Sequence, residues 1–232
     1  MGAKDDYSWD FTVRSAVGID LGTTCSCVAV YRNGRVSLAP DEHGLKLVPS
    51  AVAFKSNKAR IQKIVGNDAL EHDVVDNIIT ESKRLIGRKI NDPNVQSLRE
   101  RSTFEIVESK TGNAEISLQL EGKRHRFSPE DISSTILAKL KLMAEKHIGG
   151  GTEVEAAVIT VPAYFNNVQR EATQRAAMDA GLQVLAIVRE ARKILVVDIG
   201  GGTSDVSLVQ VIEEQFDVLA SKGDNNLGGE DF

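Results

Sequence analysis

An α/β fold is predicted, on three observations. Near-continuous apolar segments such as "EAAVITV" and "KILVVDI" read as buried strands. Helix-period segments separate them, and the strand–helix–strand order implies a largely covered sheet with parallel pairing.

Taken in order, residues 1–15 read as an N-terminal extension. "AVGIDLG" and "TCSCVAVYR" follow as strands, and Asn33-Gly34 turns the chain into "RVSLA" as a hairpin. Short strands are predicted over 47–54, "LVPSAVAF". "DNIITESKRLIG" (76–87) has helical periodicity through Ile78, Ile79, Leu85 and Ile86, with Gly87 placed as a C-terminal cap. "FEIVES" and "AEISLQLEG" are strands joined near "TGN". Ser128 is placed to N-cap a helix with Pro129 at its first position and Glu130 and Asp131 at its positive end. Its apolar stripe runs Ile132, Ile136, Leu140, Met143 and stops at the glycines 149–151. "EAAVITVPAYF" (155–165) is a strand, "NVQREATQRAAMDAG" a helix closed by Gly181, and "QVLAIVRE" and "KILVVDIGGGTSDVSLVQV" are strands again.

At 232 residues, 41% of them hydrophobic, the chain suffices for one large or two small domains. A net charge of -5 argues against a nucleic-acid surface. The basic clusters "ESKRLIGRK" (81–89) and "EGKRHRF" (121–127) read as solvated faces. Cys25 and Cys27, two apart on one strand, are poor disulfide partners and read as small core filler. Four scattered histidines suggest no zinc site. Without a disulfide framework an intracellular, cytoplasmic setting is expected. The N-terminus lacks the apolar core of a secretory signal, and Asp6 occupies the hydroxyl position a myristoylation motif requires. No apolar run approaches the ~20 residues of a membrane span.

"VGIDLGTTCSCVAV" and "VVDIGGGTSDVSLV" are one device used twice: an apolar strand, an aspartate, a Gly/Thr turn and another apolar strand. Tight glycine turns bring backbone N–H groups close to phosphate, and threonines add hydroxyl donors. An aspartate beside phosphate needs an intervening cation, so Asp20 and Asp198 imply Mg²⁺ held through its waters. Neither a Walker-type loop nor G-x-G-x-x-G is present. Two matched turns suit two lobes facing a nucleoside triphosphate.

"GIDLGTT", "LVPSAVAF", "SKRLIGR", "AVITVPAYFNNVQREAT", "DIGGGTSDVSLV" and "LGGEDF" occur in that order. Together they resemble the nucleotide-binding domain of the 70-kDa heat-shock chaperone family, which has the actin-like (ribonuclease H-like) ATPase fold. The resemblance implies a chaperone ATPase using ATP/ADP and Mg²⁺ in protein folding and the stress response. It puts Asp20, Gly22, Thr23, Thr24 and Cys25 on the first phosphate loop, Cys25 standing where the family more usually has tyrosine. Lys83 matches the lysine that orients the attacking water and the γ-phosphate, and Glu190 the glutamate near the metal. Asp198, Gly201, Gly202, Thr203 and Asp205 match the second phosphate loop, the metal being held through water by Asp20, Asp198 and Asp205. Pro162 and Arg170 match positions that relay nucleotide state. Implied partners are unfolded polypeptides, J-domain co-chaperones and nucleotide-exchange factors, with no nucleic acid and no membrane. The lysine's role is one of charge placement, as phosphoryl transfer to water requires.

The pattern breaks after Glu190, where "ARK" replaces a segment roughly fifteen to twenty residues longer, and three residues span only about 10 Å. The expected domains are the extension 1–15, a nearly complete first lobe 16–190 with a peripheral subdomain 51–127, and a second lobe only begun over 191–232. Two alternatives stand beside the ATPase reading. One is a catalytically inactive regulatory fragment that binds chaperone partners; the other is a sugar-kinase-like enzyme, against which "VPAYFNNVQREAT" and "LGGEDF" speak. With one wall of a nucleotide cleft reduced, weak nucleotide binding and little turnover by the chain alone are expected.

Overall fold

A computed structural model describes residues 15–32, 34–57, 60–71, 77–189, 192–199, 204–212 and 215–224. The central sheet grows from β1 (Ala16–Asp20) and β2 (Cys25–Arg32), which pair antiparallel around the turn at 21–24. Strand β3 (Arg35–Leu38) extends the sheet beyond β2, with Arg32 opposite Arg35, so the hairpin predicted around Gly34 forms. On the other side β11 (Ala156–Val161) runs parallel to β1, and β12 (Gln183–Arg189) completes the order β12–β11–β1–β2–β3. Strand β4 (Val48–Pro49) also pairs with β2. Parallel neighbours need a crossover, and the whole stretch between β1 and β11 supplies it.

That crossover carries two three-stranded sheets. One orders β6 (Arg60–Val65), β5 (Val52–Asn57) and β7 (Ile78–Ile79), followed locally by the short helix α1 (Asn67–Leu70). The other is the meander β8 (Glu105–Glu108), β9 (Ala114–Leu120) and β10 (Lys123–Phe127). Helix α2 (Pro93–Arg101), unforeseen in the sequence, starts at Asp92, whose carboxylate accepts from the Asn94 N–H, with Pro93 at N1.

The long helix α3 (Pro129–Ile148) forms as predicted. Ser128 accepts from the Asp131 N–H at 3.0 Å and Asp131 accepts from the Ser128 N–H at 2.7 Å, closing a capping box. Ile132, Ile136, Leu140 and Met143 are buried and pack the helix against β2 and against α4 (Asn167–Asp179). Burying each such side chain contributes about 1.5–3 kcal/mol.

The segment 76–87 departs from its predicted helix. Among its described residues, Ile78 and Ile79 pair with Ala53 and Val52 of β5, and Ser82–Arg84 form a turn of 3-10 helix. Two adjacent β-branched residues beside an available strand edge satisfy the backbone better as sheet. Gly87 does take a positive φ of 65°, yet it ends no α-helix.

The described chain divides into two compact units, one running to Val161 and resuming over Phe165–Val188. The second unit contains Pro162–Tyr164 and the chain from Arg189 onward. Its described elements are β13 (Arg192–Ile199), β14 (Ser204–Ile212) and β15 (Gln215–Asp224), an antiparallel meander with a bulge at Leu208/Val209. No helix among the described residues is long and apolar enough to cross a membrane.

Candidate functional site

The turn between β1 and β2 is built by alternation. Val17 and Ile19 are buried, which leaves Gly18 and Asp20 on the opposite, exposed face of β1. Asp20 ends the strand in register with Thr160 on β11 and Cys27 on β2. The Thr160 hydroxyl donates to one Asp20 carboxylate oxygen at 2.9 Å.

Leu21 then drops into the core, and the chain turns back through Gly22, Thr23 and Thr24. A β-carbon on Gly22 would meet the Cys25 carbonyl oxygen at 1.9 Å, so only glycine permits this closeness. Inside the turn, the Gly22 N–H donates to Ser26 Oγ at 3.1 Å, and the Ser50 hydroxyl donates to the Gly22 carbonyl at 2.9 Å. The two hydroxyls meet at 2.8 Å, and the Ser50 N–H donates to the Thr24 carbonyl at 2.8 Å. Neither Thr23 nor Thr24 spends its N–H or its hydroxyl on another described residue. The inner rim of the turn is satisfied by protein while the outer rim presents donors, which suits an anionic ligand. The donor set therefore fits phosphate, and the exposed Asp20 carboxylate fits a hydrated cation.

Lys83 lies on the 3-10 turn at 82–84 and is 7% exposed, far from the solvated lysine its local sequence suggests. Its ammonium stands 5.7 Å from the centroid of Phe165, a cation–π distance. Glu81 caps that turn in the left-handed conformation, φ 53°. Arg101 grips the Glu81 carboxylate with two N–H groups at 2.9 and 2.6 Å, and Arg84 Nε adds a third at 2.5 Å. Arg101, followed by Arg84, holds the Glu81 carboxyl below its ordinary value of 4.5.

Of the second matched turn, Asp198 on β13 stands in register with Asp205 on β14. Glu190, Gly201, Gly202 and Thr203 lie outside the described residues. Pro162 is buried, and Arg170 Nε donates to the Phe165 carbonyl at 3.2 Å.

Some sequence readings change. Both cysteines are free thiols, as expected, but Cys25 is exposed and only Cys27 is partly covered. They fall in the open phase of β2, while Ser26, Val28 and Val30 take the buried phase. Burial, then the charge of Asp20, pushes the Cys27 thiol up, which keeps it protonated and unreactive. The basic cluster 81–89 is not uniformly solvated, for Lys83 is buried and Arg88 pairs with Asp92 at 2.6 Å. His43, read as isolated, donates or accepts with Asp68 at 2.9 Å beside Glu42, an exposed group. Ser26, Ser50, Thr160 and Phe165 escaped sequence reasoning. Ser26 had a readable signal, a hydroxyl occupying the buried phase of an alternating strand.

A family model described as Hsp70 protein matches residues 16–232. The chain belongs to this family. It is 42% identical to "Heat shock 70 kDa protein 2" of Paracoccidioides lutzii and to "Heat shock 70 kDa protein" of Emericella nidulans, in each case over 94% of the chain. A 41% identity over the same share relates it to "Heat shock 70 kDa protein" of Trichophyton rubrum. The chain spans about a third, 35%, of the length of each of these Hsp70 relatives. The P. lutzii alignment runs over 236 positions although only 94% of 232 residues take part, leaving about 18 positions without a counterpart in this chain. The mixed sheet-and-helix architecture agrees with the actin-like nucleotide-binding fold of Hsp70 proteins.

Proposed function

We propose that this chain is the first-lobe part of the ATP-binding region of an Hsp70 chaperone, taking ATP or ADP with Mg²⁺. The observation that carries the reading is the turn at 22–24, where the Gly22 N–H and carbonyl and the Thr24 carbonyl are paired within the protein while Thr23 and Thr24 keep their N–H groups and hydroxyls for a ligand. The bound Mg²⁺ would screen phosphate charge. Asp20, joined by Asp198 and Asp205, would hold that ion through its waters, and Gly22, Thr23, Thr24 and Cys25 would line the phosphates. Gly201, Gly202 and Thr203 would provide the second phosphate loop, with Glu190 near the metal. Lys83, buried and packed on Phe165, would present its charge to the γ-phosphate and the attacking water. Hydrolysis is proposed for the full family architecture, of whose length this chain spans 35%.

The proposed domain division places the first lobe at 16–190, its peripheral subdomain at 51–127 and the start of the second lobe at 191–232. Proposed partners, through the longer family architecture, are unfolded polypeptides, J-domain co-chaperones and nucleotide-exchange factors, in the cytoplasm. Calorimetric titration of the purified chain with ADP, with and without Mg²⁺, tests the site. Weak but metal-dependent binding that is lost in Asp20→Ala supports the assignment. Equal affinity with and without the metal removes the basis for assigning the carboxylates.

A further inference from the structure

We propose that Ser26 and Ser50 act as one positioning unit that holds the turn 22–24 with its donors facing outward, an inference that rests on the nucleotide reading of that turn. The two side chains come from different segments, one from β2 and one from the link between β4 and β5, and both are buried, 1% and 5% exposed. Their hydroxyls share a 2.8 Å hydrogen bond across a separation of 24 residues.

What they grip decides the role. Ser26 Oγ takes the Gly22 N–H, and Ser50 Oγ gives its proton to the Gly22 carbonyl. Proton inventory then fixes the direction of the bond between them. Ser50 has one hydroxyl proton, and it is used on Gly22; the proton shared between the hydroxyls must therefore come from Ser26. The result is a closed ring: Gly22 N–H to Ser26, Ser26 O–H to Ser50, Ser50 O–H to the Gly22 carbonyl.

One peptide position thus has both of its backbone polar groups satisfied from beneath. The Ser50 N–H adds a second hold at the Thr24 carbonyl. Between those two holds, the N–H groups and hydroxyls of Thr23 and Thr24 have no described protein partner to turn toward. A turn already satisfied on one side need not reorganise to bind on the other, so preorganisation is the benefit the ring provides. The segment "LVPSAVAF" acquires a purpose beyond its strands, since Ser50 sits at its centre.

The test is made on the full chain with Ser26→Ala, Ser50→Ala and the double variant. Amide hydrogen exchange at Gly22 and Ser50, whose N–H groups are bonded within the unit, is read first, without nucleotide. Each single variant should raise exchange there at least tenfold, while the amides of Ile19 and Val28, in the flanking strands, keep theirs. The double variant should exceed either single only slightly, because the members of one ring share their contribution. ADP with Mg²⁺ should then bind at least tenfold more weakly in each single variant, and Ser50→Thr, which keeps the hydroxyl, should recover part of that loss.

Exchange at Gly22 that stays at the parent level in Ser50→Ala overturns the proposal. So does a loss of protection spread evenly through β1 and β2, which would mark the serines as ordinary core groups. A parent chain that binds no ADP, but whose exchange responds as described, upholds the ring and removes only the nucleotide reading.

Discussion

The carbonyl oxygen of Cys25 lies 1.9 Å from the place a β-carbon on Gly22 would occupy. No rotamer change relieves a clash with backbone, so the turn must open if any side chain is added. Gly22→Ala should cost about 2–4 kcal/mol, within the range of strained backbone replacements, and should abolish ADP binding. Gly34→Ala is the control. Its φ is positive, 77°, as that of Gly22 is not, but nothing stands within 4 Å of the added carbon, and about 1 kcal/mol is expected. Thermal melting of the two variants against the parent checks the contrast.

Lys83 gives a second prediction, on rate. A group acting on the transferred phosphoryl should matter more to turnover than to affinity. When the remaining length of the relatives is supplied in the same chain, Lys83→Ala should still bind ATP and should hydrolyse it about 10²-fold more slowly. Single-turnover kinetics beside a binding titration separates the two effects. Unchanged turnover would assign Lys83 a structural role only.

Acid should loosen the segment that carries Lys83. Arg101, then Arg84, lowers the folded value of Glu81 below its ordinary 4.5, the value it regains when unfolded. The ion pairs are therefore fully present above about pH 4.5 and are lost as pH falls through the lowered folded value. Glu81 and its arginine partners are exposed enough for solvent to screen the pairs, so the stability they add is small. Glu81→Gln should melt earlier than the parent at pH 7, with the difference shrinking below pH 4.5. A difference constant from pH 7 to pH 3 would rule the titration out.

Gly87 is a fourth test. An added β-carbon would stand 2.8 Å from Gln169 Cα and 3.0 Å from its N, at a φ of 65°. Gly87→Ala should destabilise by about 2–4 kcal/mol through strain and displacement of α4. Far smaller loss in chemical denaturation would show that α4 moves freely there.

The alternation of β1, β2 and β11 and the cap at Ser128 were legible because each depends on neighbours within a few residues. The turn at 21–24 was legible for the same reason, through its glycine and threonines. Segment 76–87 was misread because its helical spacing is local, whereas the β5 edge that captures Ile78 and Ile79 lies far away in sequence. Ser50 and Thr160 were invisible for a like reason: their partners Ser26 and Asp20 lie 24 and 140 residues away. Cys25 lies outside the core because Ser26 takes the buried phase of β2, which turns Cys25 outward.

The parallel pairing of β1 with β11 sets an order of events. Ala16–Asp20 cannot find Ala156–Thr160 until almost all of the first unit exists as chain, whereas the meander β8–β10 closes over adjacent segments. Such long-range closure is entropically late and slow. As the chain leaves the ribosome, the peripheral sheets and α3 can form while the first strand waits with its apolar side uncovered. The turn at 22–24 would then gain its support from Ser50 early, and Asp20 its Thr160 neighbour only at the end.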